Sequence, residues 1–249
     1  MSGHSKWATI KHKKAANDKA RAKVFAKVLR QVEVAAREGG GDLDSNATLR
    51  TMFQKARDNS IPLDTIERAV KRGTGELEGV TYEEVTYEGY APGGVAILAQ
   101  GLTDNRNRTG AEVRNLITKL GGSLAEPGAV SWQFERKGHV VVPRSVDEDE
   151  LMLAAVDAGA EDIADEGDVW RVTTAPTDLP AVRTAVEAAG ITVDSSELTM
   201  VPTMTVPLGD TESAKKVLRL IDALDDHDDI GEVHANFDIP DEIIEAMET

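Results

Sequence analysis

The chain opens its regular patterning at Asn17. From there to Glu38 the apolar residues Val24, Phe25, Val28, Leu29, Val32, Ala35 and Ala36 return at the three-and-four spacing of one helix face. Asn17 or Asp18 stands where an N-cap belongs, and the glycines at 39 to 41 end the run. A second helix is predicted over 46 to 58 with Leu49, Met52, Phe53 and Ala56 inward, and a third from Pro62 to Arg72, closed by Gly73. The Asn59–Ser60–Ile61 connection suits a helix hairpin supporting the first helix better than a helix-turn-helix, because Glu67 sits among Arg68, Lys71 and Arg72 on the helix that would read bases.

After a linker over 73 to 80 the period changes to that of strands alternating with helices. Strands are predicted near 82 to 90 and 94 to 102, a helix near 108 to 120 and a strand near 129 to 135. A second unit then reads strand 139 to 143, helix 148 to 158, strands 162 to 165 and 168 to 174, helix 178 to 189 and strand 191 to 201, the order of a ferredoxin-like split βαβ. The first unit lacks a helix and a strand. They appear only near 211 to 225 and 232 to 238, so insertion is the economical reading. The expected fold is multidomain α and α+β: a helical bundle (1–79), a discontinuous α+β domain (80–135 with 204–249) and an inserted α+β domain (136–203), both of the α+β domains ferredoxin-like.

Charge divides the chain the same way. Residues 1 to 30 hold nine Lys and Arg against the single acid Asp18, a net of +8; residues 31 to 72 are neutral; residues 73 to 249 carry a net of -24. A polyanion is attracted to one end and repelled by the rest. On the first helix Lys19, Lys23, Lys27, Arg30 and Arg37 fall opposite the apolar stripe, a basic face expected to be free for a partner, with Arg21 on the apolar side.

Candidate chemistry narrows the functional class. With no cysteine the chain has no disulfide, thiolate metal site or cysteine nucleophile. Gly73–Thr74–Gly75 lacks the third glycine of a dinucleotide loop and reads as linker. Gly121–Gly122–Ser123–Leu124–Ala125 lacks the last glycine of a nucleophile elbow and reads as a helix C-cap. Asp225–Asp226–His227–Asp228–Asp229 does not fit a calcium loop and reads as a solvated helix end. The five histidines lack metal-binding spacing, so no enzyme, metal or cofactor is expected. No stretch has the length of a membrane span or the pattern of a signal peptide, and the expected location is the cytoplasm.

Nucleic-acid chemistry has better material. Lys6, Lys11, Lys13, Lys14 and Lys19 supply phosphate contacts, Trp7 a stacking surface, and His4, Ser5 and His12 polar contacts; Arg21, Lys23, Lys27 and Arg30 extend the set along the first helix. Alternatively Trp7 and Ile10 staple the arm to the bundle while the lysines are solvated. Two loops are secondary candidates. Tyr87 and Tyr90 flank an aromatic turn that either stacks on a partner or simply joins two strands. Asn105, Arg106, Asn107 and Arg108 open the helix carrying Arg114, where they either meet a phosphate or cap the helix themselves.

The motifs GHSKW, IKHKKAA, GGGD, YEGYAPGG, DNRNRT and AVSWQFERKG together resemble the YebC/PmpR family, also called TACO-type, across essentially the whole chain. Leu43 and Ser45 are small departures in a loop. The resemblance implies an N-terminal helical domain and two α+β domains, one inserted in the other. It also implies a cytoplasmic, DNA-binding transcriptional regulator or a ribosome-associated translation factor that meets ribosomal RNA and relieves stalling on proline-rich sequences.

Overall fold

The computed structural model describes residues 18–248. Its helices begin with α1 (Asp18–Gly39), α2 (Ala47–Asp58) and α3 (Leu63–Gly73). Then come β1 (Glu83–Tyr90), β2 (Ala96–Thr103), α4 (Arg106–Lys119), β3 (Ser123–Leu124) and β4 (Phe134–Pro143). They are followed by α5 (Glu148–Ala155), β5 (Ala160–Asp165), β6 (Val169–Thr174), α6 (Leu179–Ala188) and β7 (Ser195–Pro202). The chain finishes with β8 (Val206–Pro207), α7 (Thr211–Asp225), β9 (Ile230–Ala235), β10 (Phe237–Asp238) and α8 (Asp241–Glu248). The mixed α and α+β class is the one expected.

Backbone proximity gathers these elements into two compact units. One comprises residues 28–79 and 136–200; the other comprises 80–135 and the residues from 201 on, together with α1 up to Lys27.

In the first unit the predicted stripe of α1 is buried at Val28, Val32, Ala35 and Ala36, as are Leu49 and Ala56 of α2 and Ile66 and Ala69 of α3. Asn46 joins α1 to α2. Its Nδ2 donates to the carbonyls of Ala35 and Gly40, both at 2.8 Å, and its Oδ1 accepts the Leu49 amide at 2.9 Å, so one side chain ends one helix and caps the next. Gly73 is where α3 crosses α1: a Cβ there would lie 2.3 Å from the Glu33 carbonyl oxygen. It is a packing position and not merely linker. The Glu33 carboxylate, buried beside this crossing, accepts Arg72 Nε at 3.0 Å.

The same unit holds a sheet of order β5-β6-β4-β7, which with α5 and α6 is the ferredoxin-like arrangement read from the sequence. Val140, Val142, Trp170 and Val172 of its strands pack against Leu151, Val182 and Val186 of its helices. Each buried aliphatic side chain of this kind contributes about 1.5–3 kcal/mol. Asp58 at the end of α2 is bound by Arg183 of α6 at 2.7 and 3.0 Å, and Lys55 lies 3.4 Å from Glu197.

The second unit is built on a sheet of order β3-β1-β2-β9, antiparallel throughout, with a hairpin at the centre where the ferredoxin-like order would place two strands that are not consecutive in the chain. Ile97 and Ala99 of β2, Val113 and Ile117 of α4, and Val217, Leu220 and Leu224 of α7 form its core. The strand expected over 129–135 and the one expected over 139–143 are corrected to a single strand, β4, preceded by a 3-10 turn at Ser131–Gln133. The sheet position beside β1 belongs to β3, and a Cβ on Gly89 would come 2.7 Å from the Ser123 carbonyl oxygen. The physical reason is Glu88. Its buried carboxylate accepts the amides of Gly128 and Val130 at 2.7 Å and of Ser131 at 2.9 Å, the donors a strand would have given to a neighbour.

Candidate nucleic-acid interface

Most of the arm lies outside the described residues: His4, Ser5, Lys6, Trp7, Lys11, His12, Lys13 and Lys14. Lys19 is in the first turn of α1, where the backbone alone is described. Arg21 is exposed, its guanidinium 5.3 Å from the Phe25 ring centroid, a cation–π stack that explains why an arginine occupies the apolar side. Arg30 is half-buried.

Lys23 and Lys27 correct the expectation of a free basic face. Lys23 Nζ donates to the Asp226 carbonyl at 2.9 Å and lies 3.4 Å from its carboxylate, and Lys27 Nζ donates to the Asp225 carbonyl. Helical spacing, at four residues, brings the two ammonium groups onto the C-terminal end of α7. There the last carbonyls of a helix lack intrahelical partners and carry its negative partial charge. The geometry is helix capping by cations from another helix.

The acidic turn they reach is the solvated helix end expected only in part: Asp226 and Asp228 are exposed, but the turn closes on a buried acid. Asp229 is buried, and its Oδ2 accepts Thr109 Oγ1 at 2.7 Å, Arg108 Nη2 at 2.6 Å and Thr103 Oγ1 at 3.3 Å. Burial alone would raise its carboxyl pKa, but the hydrogen bonds from Thr109 and Arg108 and the arginine's charge outweigh it, and the group is held below the ordinary carboxylate range. The backbone is equally constrained: a Cβ on Gly101 would fall 1.9 Å from the Asp229 carbonyl oxygen, at the irregularity in β2–β9 pairing. His227 Nδ1 accepts the Asp229 amide at 3.1 Å, which leaves Nε2 to bear the proton shared with Glu112 at 2.9 Å.

The loop candidates follow from this network. Asn105 caps α4, its Oδ1 accepting the Arg108 amide at 3.1 Å, while Arg108 is clamped between Asp229 and Asp104, the latter at 3.0 Å. Arg106 is exposed, 3.5 Å from Glu83, and Asn107 is exposed. Self-capping thus accounts for this loop, and its two arginines face carboxylates. Tyr87 packs on the core, where burial raises its phenol pKa, and Tyr90 donates its hydroxyl to the Ala129 carbonyl at 3.4 Å. Both are half-buried and brace the hairpin.

Sequence reading missed Trp132. It is 66% exposed, its indole Nε1 donating to the Ala129 carbonyl at 3.0 Å, on the turn that Glu88 organises. The hydrogen bonds from Gly128, Val130 and Ser131 outweigh burial, and Glu88 is held below the ordinary carboxylate range. No grouping of three or more His, Asp or Glu able to hold a metal occurs among the described residues. No described helix is long and apolar enough to cross a membrane.

Comparison with known proteins covers nearly all of this architecture. The profile of the TACO1/YebC protein N-terminal domain matches residues 5–76, and that of the TACO1/YebC second and third domain matches residues 82–237. A protein of Halothermothrix orenii named "probable transcriptional regulatory protein" is 55% identical over 250 residues, 99% of each chain. One of the same name from Thermobifida fusca is 57% identical over 246 residues, 98% of each chain. The crystal structure of a conserved hypothetical protein from Aquifex aeolicus superimposes with a TM-score of 0.82 at 46% identity, covering 90% of this chain and 93% of that one. The chain belongs to the TACO1/YebC family.

Proposed function

We propose that this protein is a non-enzymatic regulator of gene expression that binds DNA through its basic N-terminal arm. One observation carries the reading: residues 1–30 hold a net charge of +8 against -24 for residues 73–249, so a polyanion meets this chain favourably only at one end. The two relatives named as probable transcriptional regulatory proteins support a regulatory role. Because Lys23 and Lys27 already cap α7, the reading assigns the main phosphate contacts to Lys6, Lys11, Lys13 and Lys14. Its division of labour is a basic helical domain (1–79), a discontinuous α+β domain (80–135 with 204–249) and an inserted domain (136–203), in the cytoplasm and without a cofactor.

A second reading, a translation factor on ribosomal RNA, is favoured by tryptophan. Trp7 lies within the arm and Trp132 is two-thirds exposed, and unstacked RNA bases accept an aromatic face that duplex DNA does not. Sedimentation of lysate through sucrose, with and without nuclease and salt, separates the two. Cosedimentation with ribosomal particles that resists DNase supports the ribosomal reading. Protein found only free or with DNA rejects it.

A further inference from the structure

The first unit carries an apolar surface that its own core does not use. Helix α5 buries Leu151 and Ala155 against the sheet, yet the residues beside them point outward: Leu153 is 81% exposed, Met152 45% and Val156 52%. Val156, in the 3-10 turn that continues α5, follows Met152 by four residues and Leu153 by three, which makes it a neighbour of both on one surface. Contiguous exposed apolar side chains on a small domain mark a surface that meets something.

Its surroundings restrict what that is. Between Ser145 and Trp170 there are ten acidic residues and no lysine, arginine or histidine. Glu148, Asp149, Glu150 and Asp157 are exposed on and around α5, and Glu161 and Asp162 continue the acidic edge along β5, which ends the sheet. Cations on and beside the sheet are already committed: Lys137 to Glu161 at 2.8 Å, Arg144 to Asp165 at 3.1 Å and Arg171 to Glu166 at 2.8 Å. A nucleic acid or an anionic membrane is repelled here. A second copy docked through the same patch about a two-fold axis would set acid against acid.

We propose that the exposed face of α5 is a docking surface for a basic amphipathic helix of a partner protein, which lays apolar residues on Met152, Leu153 and Val156 and its lysines or arginines against Glu148, Asp149, Glu150 and Asp157. The surface is independent of the arm's nucleic-acid reading. Shape is supplied by the apolar stripe and orientation by the acidic rim, so both parts are needed.

The test exploits their opposition. A fluorescent peptide of about 18 residues, leucines and lysines at helical spacing, is titrated with the full-length protein, beside a scrambled peptide of the same composition and a glutamate counterpart. The patterned basic peptide binds, the other two bind far more weakly, and Leu153→Glu lowers the affinity about tenfold although it makes the surface more acidic. Met152→Gln lowers it as well. Since Leu153 is so exposed, both variants keep the wild-type melting temperature. Equal or tighter binding by Leu153→Glu, or equal binding of the scrambled peptide, reduces the effect to bulk charge and overturns the proposal. So does an absence of binding. Concentration-dependent dimerisation of the protein alone that Leu153→Glu abolishes overturns it in favour of a second copy.

Discussion

Arg183 and Asp58 form a two-pronged pair, Nη1 to Oδ2 at 2.7 Å and Nη2 to Oδ1 at 3.0 Å, between residues 125 apart in sequence. Arg183 Nη1 also reaches Ser196 Oγ at 2.6 Å, and both ionic side chains are almost wholly buried. One carboxylate on α2 thus ties the helical layer to α6 and β7 within the first unit.

Replacing Asp58 by Ala removes both prongs and leaves that guanidinium with Glu187, whose carboxylate lies 2.9 Å from Nε, and Ser196. The expected cost is about 1–3 kcal/mol, read as a lowered urea midpoint followed by circular dichroism, because two charge-assisted hydrogen bonds in a nearly buried position are left unmade. Asp58→Asn, which preserves one acceptor, costs less than Asp58→Ala.

The Gly73 crossing gives a steric prediction. A Cβ at 2.3 Å from a backbone oxygen forces α3 away from α1, so Gly73→Ala destabilises by about 1–3 kcal/mol despite alanine's better helix propensity. Gly75 offers a contrasting control: it has φ +83 and open space around it, so Gly75→Asn, a residue that tolerates left-handed backbone, is near neutral. Thermal melting of the two variants beside the wild type reads both effects.

Acid should unfold the second unit through Glu88 and Asp229. Both carboxyls have folded pKa values below their unfolded ones, so their stabilisation is complete above the unfolded value and declines as pH falls through the ordinary carboxylate range toward the depressed folded values. Urea unfolding across a pH series reads this as a falling midpoint, and Glu88→Gln flattens part of that acid limb.

Much of the frame is legible from local sequence. Helix α7 spans the predicted 211–225 because Asp210 caps it and its apolar spacing is unbroken, and the βαββαβ order from β4 to β7 follows from alternating periods. Long-range carboxylates are not legible this way. Arg108 meets Asp229 across 121 residues and Lys23 meets Asp226 across 203, and no period in the chain records either pairing. A helical wheel places Lys23 and Lys27 correctly on one face, but what faces them is decided by the fold. The segment 129–135 misleads for the same reason, since the buried acid that bends it is about forty residues away in Glu88.

Lys23 and Lys27 have helix carbonyls as partners for their ammonium groups. Lys23→Ala with Lys27→Ala therefore changes nucleic-acid affinity only slightly, and stability by under about 1 kcal/mol at the exposed Lys23–Asp226 pair. Fluorescence anisotropy with labelled duplex DNA and single-stranded RNA reads the first, thermal melting the second.

Binding is decided in the arm itself. Charge reversal of Lys11, Lys13 and Lys14 to Glu, followed by titration of nucleic acid across a series of salt concentrations, should weaken binding and reduce the slope of log affinity against log salt by about 0.7–0.9 for each phosphate that is no longer neutralised. A slope unchanged from wild type, with affinity intact, would contradict binding through the arm.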